Sequence, residues 1–106
     1  MNYHLMADDN RMTALKPNSL YQAFVQVDSE KTRERQCPDS LSFDAEMPEH
    51  YHGMPTRAEV TRLPGPDCRF QITGILFQMS GDWRLHFDLR KGRILTRASS
   101  DVKVKP

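Results

Sequence analysis

Apolar and polar residues alternate most regularly in the segment 82–90, DWRLHFDLR. The apolar positions of this segment are Trp83, Leu85, Phe87 and Leu89. Successive side chains of a β-strand point to opposite faces, so this period of two predicts a strand with one face buried and one face in water. Because antiparallel sheets commonly have one solvated face, the pattern favours an antiparallel sheet.

Similar patterns predict strands along most of the chain. Residues 20–27 are rich in β-branched and aromatic side chains, and residues 41–47 alternate until Pro48 stops backbone pairing. The remaining predicted strands are 58–63, 68–73 (ended by Gly74) and the shorter segments 75–78, 93–97 and 102–104. We count about seven strands among these eight segments, and that number at a spacing of roughly 8–12 residues is typical of a sandwich. The sequence therefore predicts an all-β protein, an immunoglobulin-like antiparallel β-sandwich with Trp83 as a core residue.

Length and charge limit the classes of protein to which the chain can belong. Its 106 residues are enough for one domain. Residues 1–18 show no period, so we expect a flexible N-terminal arm followed by a single sandwich domain over residues 19–106. The formal net charge of +1 gives no polybasic surface for nucleic acid. No apolar run exceeds three residues, which predicts no membrane span in this chain.

The sequence lacks the common short motifs of catalysis. It contains no Gly-x-Ser-x-Gly, no glycine-rich phosphate loop, no His-Glu-x-x-His and no Cys-x-x-Cys. A hydrolase built on two carboxylates leaves no spacing signature, and nothing in the sequence favours one. We therefore expect a protein that is not an enzyme.

The most unusual stretch is residues 47–54, MPEHYHGM, called the His/Met segment below. It holds two of the four histidines and two of the six methionines of the chain. In an extended chain, residues two apart point to the same side, so His50 and His52 could bind one metal ion. A positive-φ bend at Gly53 could then bring the thioether of Met54 to the same ion.

This set of donor atoms favours copper over zinc. Imidazole binds both metals, whereas a soft thioether favours Cu(I), so Cu(I) is the preferred ion and Cu(II) is a second possibility. Met47 and Met79 are further candidate ligands, although Met79 could equally cap the core. In the alternative interpretation, the two histidines lie in a solvated turn and Met47 is the last core residue of its strand.

The His/Met segment, followed by GILFQM at residues 74–79 and GDW at residues 81–83, resembles the YtkA-like and FixH-like family of small bacterial extracytoplasmic domains. The resemblance covers residues 19–104. It implies an immunoglobulin-type or cupredoxin-type sandwich associated with copper handling, including copper supply to respiratory oxidases. The positions that match the histidines and methionines of the family pattern are His50, His52, Met54 and Met79, with Met47 at the start of the run.

From this resemblance we expect a periplasmic or otherwise extracytoplasmic domain that carries or buffers copper. It would exchange the ion with a copper-accepting or copper-donating protein and would not be a catalyst. The start of the chain lacks the features of a signal peptide, so the protein is either cytosolic or has lost its signal. The alternative function is an immunoglobulin-like protein-interaction module without metal.

The two cysteines, Cys37 and Cys68, suit either one disulfide or two reduced thiols when they are considered alone. In the oxidising compartment that the resemblance implies, we expect them to form a disulfide.

Overall fold

The computed structural model describes residues 1–9, 11, 13–27 and 37–106, and this part of the chain forms eight β-strands and no helix. The strands are β1 (Asn2–Ala7), β2 (Leu20–Gln26), β3 (Ser40–Met47), β4 (His52–Gly53), β5 (Glu59–Arg62), β6 (Arg69–Leu76), β7 (Gly81–Lys91) and β8 (Ile94–Val104). They form two four-stranded antiparallel sheets with the strand orders β1-β2-β6-β5 and β4-β3-β7-β8. The predicted all-β sandwich is confirmed, with eight strands rather than about seven.

Strand β7 organises the second sheet. It pairs with β8 along its whole length and with β3 over the register from Arg90 to Arg84. The alternation along β7 has the predicted result, because the side chains of Trp83, Leu85 and Phe87 are completely buried. The polar residues between them face away from the core, as a sheet with one solvated side requires.

The two sheets meet across an aromatic core. The ring of Tyr3 in β1 lies 4.9 Å from that of Phe87, and the ring of Phe77 lies 5.0 Å from that of Trp83, measured between centroids. The indole Nε1 of Trp83 donates a hydrogen bond of 3.0 Å to the carbonyl oxygen of Met79. Trp83 is thus buried with its polar atom satisfied, which agrees with a packing role.

Strand β1 lies within residues 1–18, for which we expected a flexible arm, and shows that the part Asn2–Ala7 belongs to a sheet. All six of its residues pair with β2, from Asn2 opposite Gln26 to Ala7 opposite Tyr21. The hydroxyl of Tyr3 also forms a hydrogen bond with Ser100 of the other sheet. The sequence of β1, NYHLMA, contains no β-branched residue and so gives little strand signal, and pairing with β2 determines its conformation.

The assignments of strands β4, β6 and β8 also differ from the prediction. Strand β6 continues through Gly74, where a strand end was expected, and the two segments predicted at 93–97 and 102–104 form the single strand β8. Strand β4 was not predicted, because two residues are too short to show a period. No helix in the described part of the chain is long and apolar enough to cross a lipid bilayer.

A disulfide joins Cys37 and Cys68, whose Cα atoms are 5.4 Å apart. Cys37 precedes β3 and Cys68 precedes β6, so the bond connects the two sheets at the ends where these strands begin. The His/Met segment starts at the last residue of β3, which places the disulfide at the opposite end of that strand.

Candidate metal site

The His/Met segment forms a tight hairpin between β3 and β4. Met47 pairs with His52 across this hairpin, and the amide of His50 donates a hydrogen bond of 3.1 Å to the carbonyl oxygen of Met47. The positive-φ bend lies at Tyr51, with a φ of 54°, and not at Gly53, where the sequence predicts it. A left-handed residue reverses the chain within the turn, so β4 can return directly along β3.

The hairpin presents the two histidines to solvent. Both side chains are exposed, and their rings are nearly parallel, with centroids 6.4 Å apart and an interplanar angle of 28°. Two imidazoles that share one ion through bonds of about 2 Å have centroids roughly 5–6 Å apart. The observed separation is slightly larger than this, so His50 and His52 could bind the same ion only after their nearly parallel rings turn to bring one nitrogen of each toward a common point.

A hydrogen bond outside the strand pairing ties the segment around Met79 to the hairpin. The side-chain amide of Gln78 donates a hydrogen bond of 2.8 Å to the carbonyl oxygen of Gly53. Gly53 precedes Met54 and Gln78 precedes Met79, so the residues next to the two methionines are in direct contact. Met54 is half-buried against the core, whereas Met79 is 41% exposed.

Met47, the remaining candidate ligand, lies in the core. Its side chain is 3% exposed, and its terminal methyl group approaches Gly81 so closely that a Cβ atom at that position would lie 2.7 Å from it. Met47 therefore has the position of a core residue at the end of β3, and the exposed imidazoles lie beyond it in the turn.

The other two histidines have different surroundings. Nδ1 of His86 lies 2.8 Å from the hydroxyl of Ser99, and its Nε2 lies 3.3 Å from a carboxylate oxygen of Glu46. Both ring nitrogens of His86 are thus already engaged in the sheet. His4, on β1, stacks on the ring of Phe24 with the centroids 5.7 Å apart.

Carboxylates and cysteines do not complete a metal site in the described residues. No group of three or more His, Cys, Asp or Glu side chains there is placed to hold one ion. Besides the two imidazoles, a metal at the hairpin would need the thioethers of Met54 and Met79 or a ligand from another molecule.

A shallow groove of about 450 Å³ lies beside the hairpin. Pro48 and Glu49 of the turn form one wall, and residues 82–84 and 101–103 of β7 and β8 form the rest. Both signs of charge line the groove, so it could accept a polar segment of a partner next to the histidines.

Sequence reasoning missed two residues of this region. Tyr51 is 95% exposed at the tip of the turn, between the two histidines. Gln78 connects the two methionine-bearing segments, and its Oε1 is buried without a hydrogen-bond partner among the described residues. No local pattern marks a glutamine whose partner lies 25 residues away.

Comparison of the chain with protein-family models, with curated proteins and with solved structures finds no match in any of the three.

Proposed function

We propose that this protein is an extracytoplasmic copper-binding domain that carries or buffers the ion and passes it to a partner protein. The observation that carries this proposal is the exposed pair formed by His50 and His52, held with ring centroids 6.4 Å apart at the tip of one hairpin. The resemblance of residues 47–54 and 74–83 to YtkA-like and FixH-like domains points to the same metal.

The donor atoms near the hairpin suit copper. Two imidazoles supply nitrogen, and Met54 and Met79 can add sulfur, which favours Cu(I) over Zn(II). The exposed carboxylate of Glu49, next to His50 in the chain, could stabilise the oxidised ion by its negative charge. Met47 is left out of this ligand set because it is buried in the core.

The exposure of the site supports transfer rather than catalysis. A ligand from a partner can reach a metal on a solvent-exposed turn before the last bond to the donor breaks. The disulfide between Cys37 and Cys68 supports an oxidising compartment, because such bonds are rare in reducing cytosol.

The direct test is an anaerobic Cu(I) titration of the full chain against a competing chelator. We expect one tightly bound Cu(I) in the parent and loss of tight binding in the double variant His50→Ala/His52→Ala. The matched control is His4→Ala, which removes an exposed imidazole on β1 and should leave the affinity unchanged. A double variant that binds copper as tightly as the parent would refute the site.

Single methionine variants test the thioether ligands. Met54→Leu keeps the approximate volume of the side chain but removes the sulfur, so Cu(I) affinity should fall more than Cu(II) affinity. Met79→Leu should show the same selectivity if its sulfur also binds the ion. Equal losses for both oxidation states would indicate a change in packing instead of a lost ligand.

A protein-interaction module without metal is the second candidate function, and the long edge strand β8 favours it. Thermal unfolding with one equivalent of copper separates the two functions. A ligand that binds only the folded state must raise the midpoint of unfolding. An unchanged midpoint in the presence of copper would favour the interaction module.

A further inference from the structure

Strand β8 forms a long open edge of the second sheet. Among the described strands it pairs with β7 alone, and this pairing runs without a register shift through eleven residue pairs. Directly after β8, the amide of Lys105 donates a hydrogen bond of 2.9 Å to the carbonyl oxygen of Leu15, so the open edge ends at Val104. A two-residue turn with Gly92 at a φ of 60° closes the β7–β8 hairpin. In such a turn the closing pair, Lys91 and Ile94, exchanges both of its backbone hydrogen bonds, and along an antiparallel strand every second residue does the same. The residues between them point their N–H and C=O groups away from β7. In β8 these residues are Leu95, Arg97, Ser99, Asp101 and Lys103.

The other sheet edges in the described part of the chain are shorter. Strands β1, β5 and β4 have six, four and two residues, whereas β8 has eleven. Proteins usually protect an edge with proline, a bulge, a short strand or charged side chains. Strand β8 is long and has no proline and no bulge, and its charged side chains, Arg97, Asp101 and Lys103, are of both signs. A long regular edge of this kind is a template for pairing with another strand.

The sequence of β8 is complementary to itself in one antiparallel register. When two copies overlap along the whole strand, the two-fold axis passes through Ser99. Arg97 of each copy then lies opposite Asp101 of the other copy, which gives two such pairs, one on each side of the axis. Side chains that are directly opposite in an antiparallel pair have Cβ atoms about 4.5–5.5 Å apart, which allows ion pairing. Shifting the axis to Arg97 or Asp101 would place like charges opposite each other at the centre.

Contacts within each copy hold the side chains of Arg97 and Asp101 in place on the surface of the sheet. Nε of Arg84 donates a hydrogen bond of 2.9 Å to Asp101, and Arg97 donates bonds of 2.8 and 3.0 Å to the carboxylate of Asp88. Two aligned copies would therefore form a continuous row of alternating charges across the junction, from Arg84 through Asp101 to Arg97 and Asp88 of the second copy.

The same register covers the most exposed apolar residues of β8. Ile94 and Leu95 are 69% and 60% exposed. In the full overlap, Ile94 lies opposite Val104 of the second copy on the core-facing side. Leu95 lies opposite Lys103, whose aliphatic stem can cover an apolar neighbour.

We propose that β8 pairs with β8 of a second copy of this chain, in antiparallel register about Ser99, to form a dimer. The two four-stranded sheets then join into one continuous sheet with the strand order β4-β3-β7-β8-β8-β7-β3-β4. This inference goes beyond the proposed copper binding and does not depend on it, because no candidate metal ligand takes part in the pairing.

Sedimentation equilibrium at several protein concentrations, in the presence of EDTA, tests the dimer. We expect the parent chain to show a concentration-dependent dimer. Arg97→Glu places Glu opposite Asp101, and Asp101→Arg places Arg opposite Arg97, so each variant alone should dimerise at least roughly tenfold more weakly. An equimolar mixture of the two variants should recover the dimer, because both junction pairs then have opposite charges.

Two controls distinguish pairing from damage to the fold. Arg90→Glu makes the same change of charge at an exposed position of β7, which is not an edge strand, and should leave the dimer intact. The fluorescence of the single, buried Trp83 reports whether each variant is folded. A parent chain that stays monomeric, single variants that dimerise like the parent, or a mixture that stays monomeric would each overturn the proposal.

Discussion

Met47 and Met79 illustrate how two candidate ligands of the same residue type differ in their surroundings. Met47 is 3% exposed and packs against Gly81, whereas Met79 is 41% exposed. Met47→Ala should lower the free energy of unfolding by about 2–4 kcal/mol, because it removes buried methylene groups and leaves a cavity. Met79→Ala should cost less than about 1 kcal/mol. Urea denaturation followed by Trp83 fluorescence measures both values, and equal losses would contradict the difference in burial.

At the scale of the element, Gly74 explains why β6 continues where a strand end was expected. The register between β2 and β6 shifts at this point, with one extra residue in β6, and Gly74 has a φ of 79°. Gly74→Ala should therefore destabilise the protein by about 1–3 kcal/mol, because a side chain is strained at this φ and its Cβ would lie 3.3 Å from the carbonyl oxygen of Arg57.

Gly53→Ala is the matched control for Gly74→Ala. A Cβ at Gly53 would have an ordinary contact of 3.9 Å with the carbonyl oxygen of Ala45. Urea denaturation of the two variants should give a clearly larger loss for Gly74→Ala. If both variants had the stability of the parent, the bulge would not require glycine.

The β7–β8 hairpin makes stability depend on pH through Asp88. The hydrogen bonds from Arg97 hold the pKa of this carboxyl below its ordinary value of 3.8. A pKa lowered by folding means that the stabilising contribution is complete above the unfolded value and disappears as the pH falls through the folded value. When the pH is lowered from neutral to about 3, the free energy of unfolding of Asp88→Asn should therefore fall less than that of the parent. Urea midpoints at a series of pH values, measured at low protein concentration, check this; identical pH profiles would contradict the role of the pair.

At the scale of the whole molecule, the disulfide connects the two sheets. Breaking it removes a constraint on a loop of 31 residues in the unfolded chain, and the chain-entropy model gives a loss of roughly 3–4 kcal/mol. We expect Cys37→Ser/Cys68→Ser to lose stability by about this amount in urea while retaining its affinity for copper, because the disulfide lies at the other end of β3 from the hairpin.

The disulfide itself is tested by alkylating the native protein without reductant and measuring its intact mass. We expect no alkylated thiol, and a mass that corresponds to two alkylated cysteines would show that the disulfide is absent.

The sequence alone determined the class of the fold and much of its core. The alternation at Trp83, Leu85 and Phe87 follows from the geometry of a single strand, so it is visible without knowledge of any partner strand. The sequence expectation put His50 and His52 on one side of an extended chain, whereas in the structure their rings approach across a turn in which Tyr51, between them, has a φ of 54°. The two cysteines by themselves left a disulfide and two free thiols open, and the pairing of Cys37 with Cys68 was expected only through the compartment that the family resemblance implies.

Only the tertiary structure decided the features that depend on distant neighbours. Strand β1 forms because β2 offers it a partner, β6 passes through Gly74 because pairing on both sides holds a bulge in place, and Met47 is buried because Gly81 leaves room for it. The contact between Gln78 and Gly53, and the position of β8 at an open edge, depend on the order of strands within the sheets. The physical reason is that a period of two is local to one strand, whereas pairing order and burial are set by residues far apart in the chain.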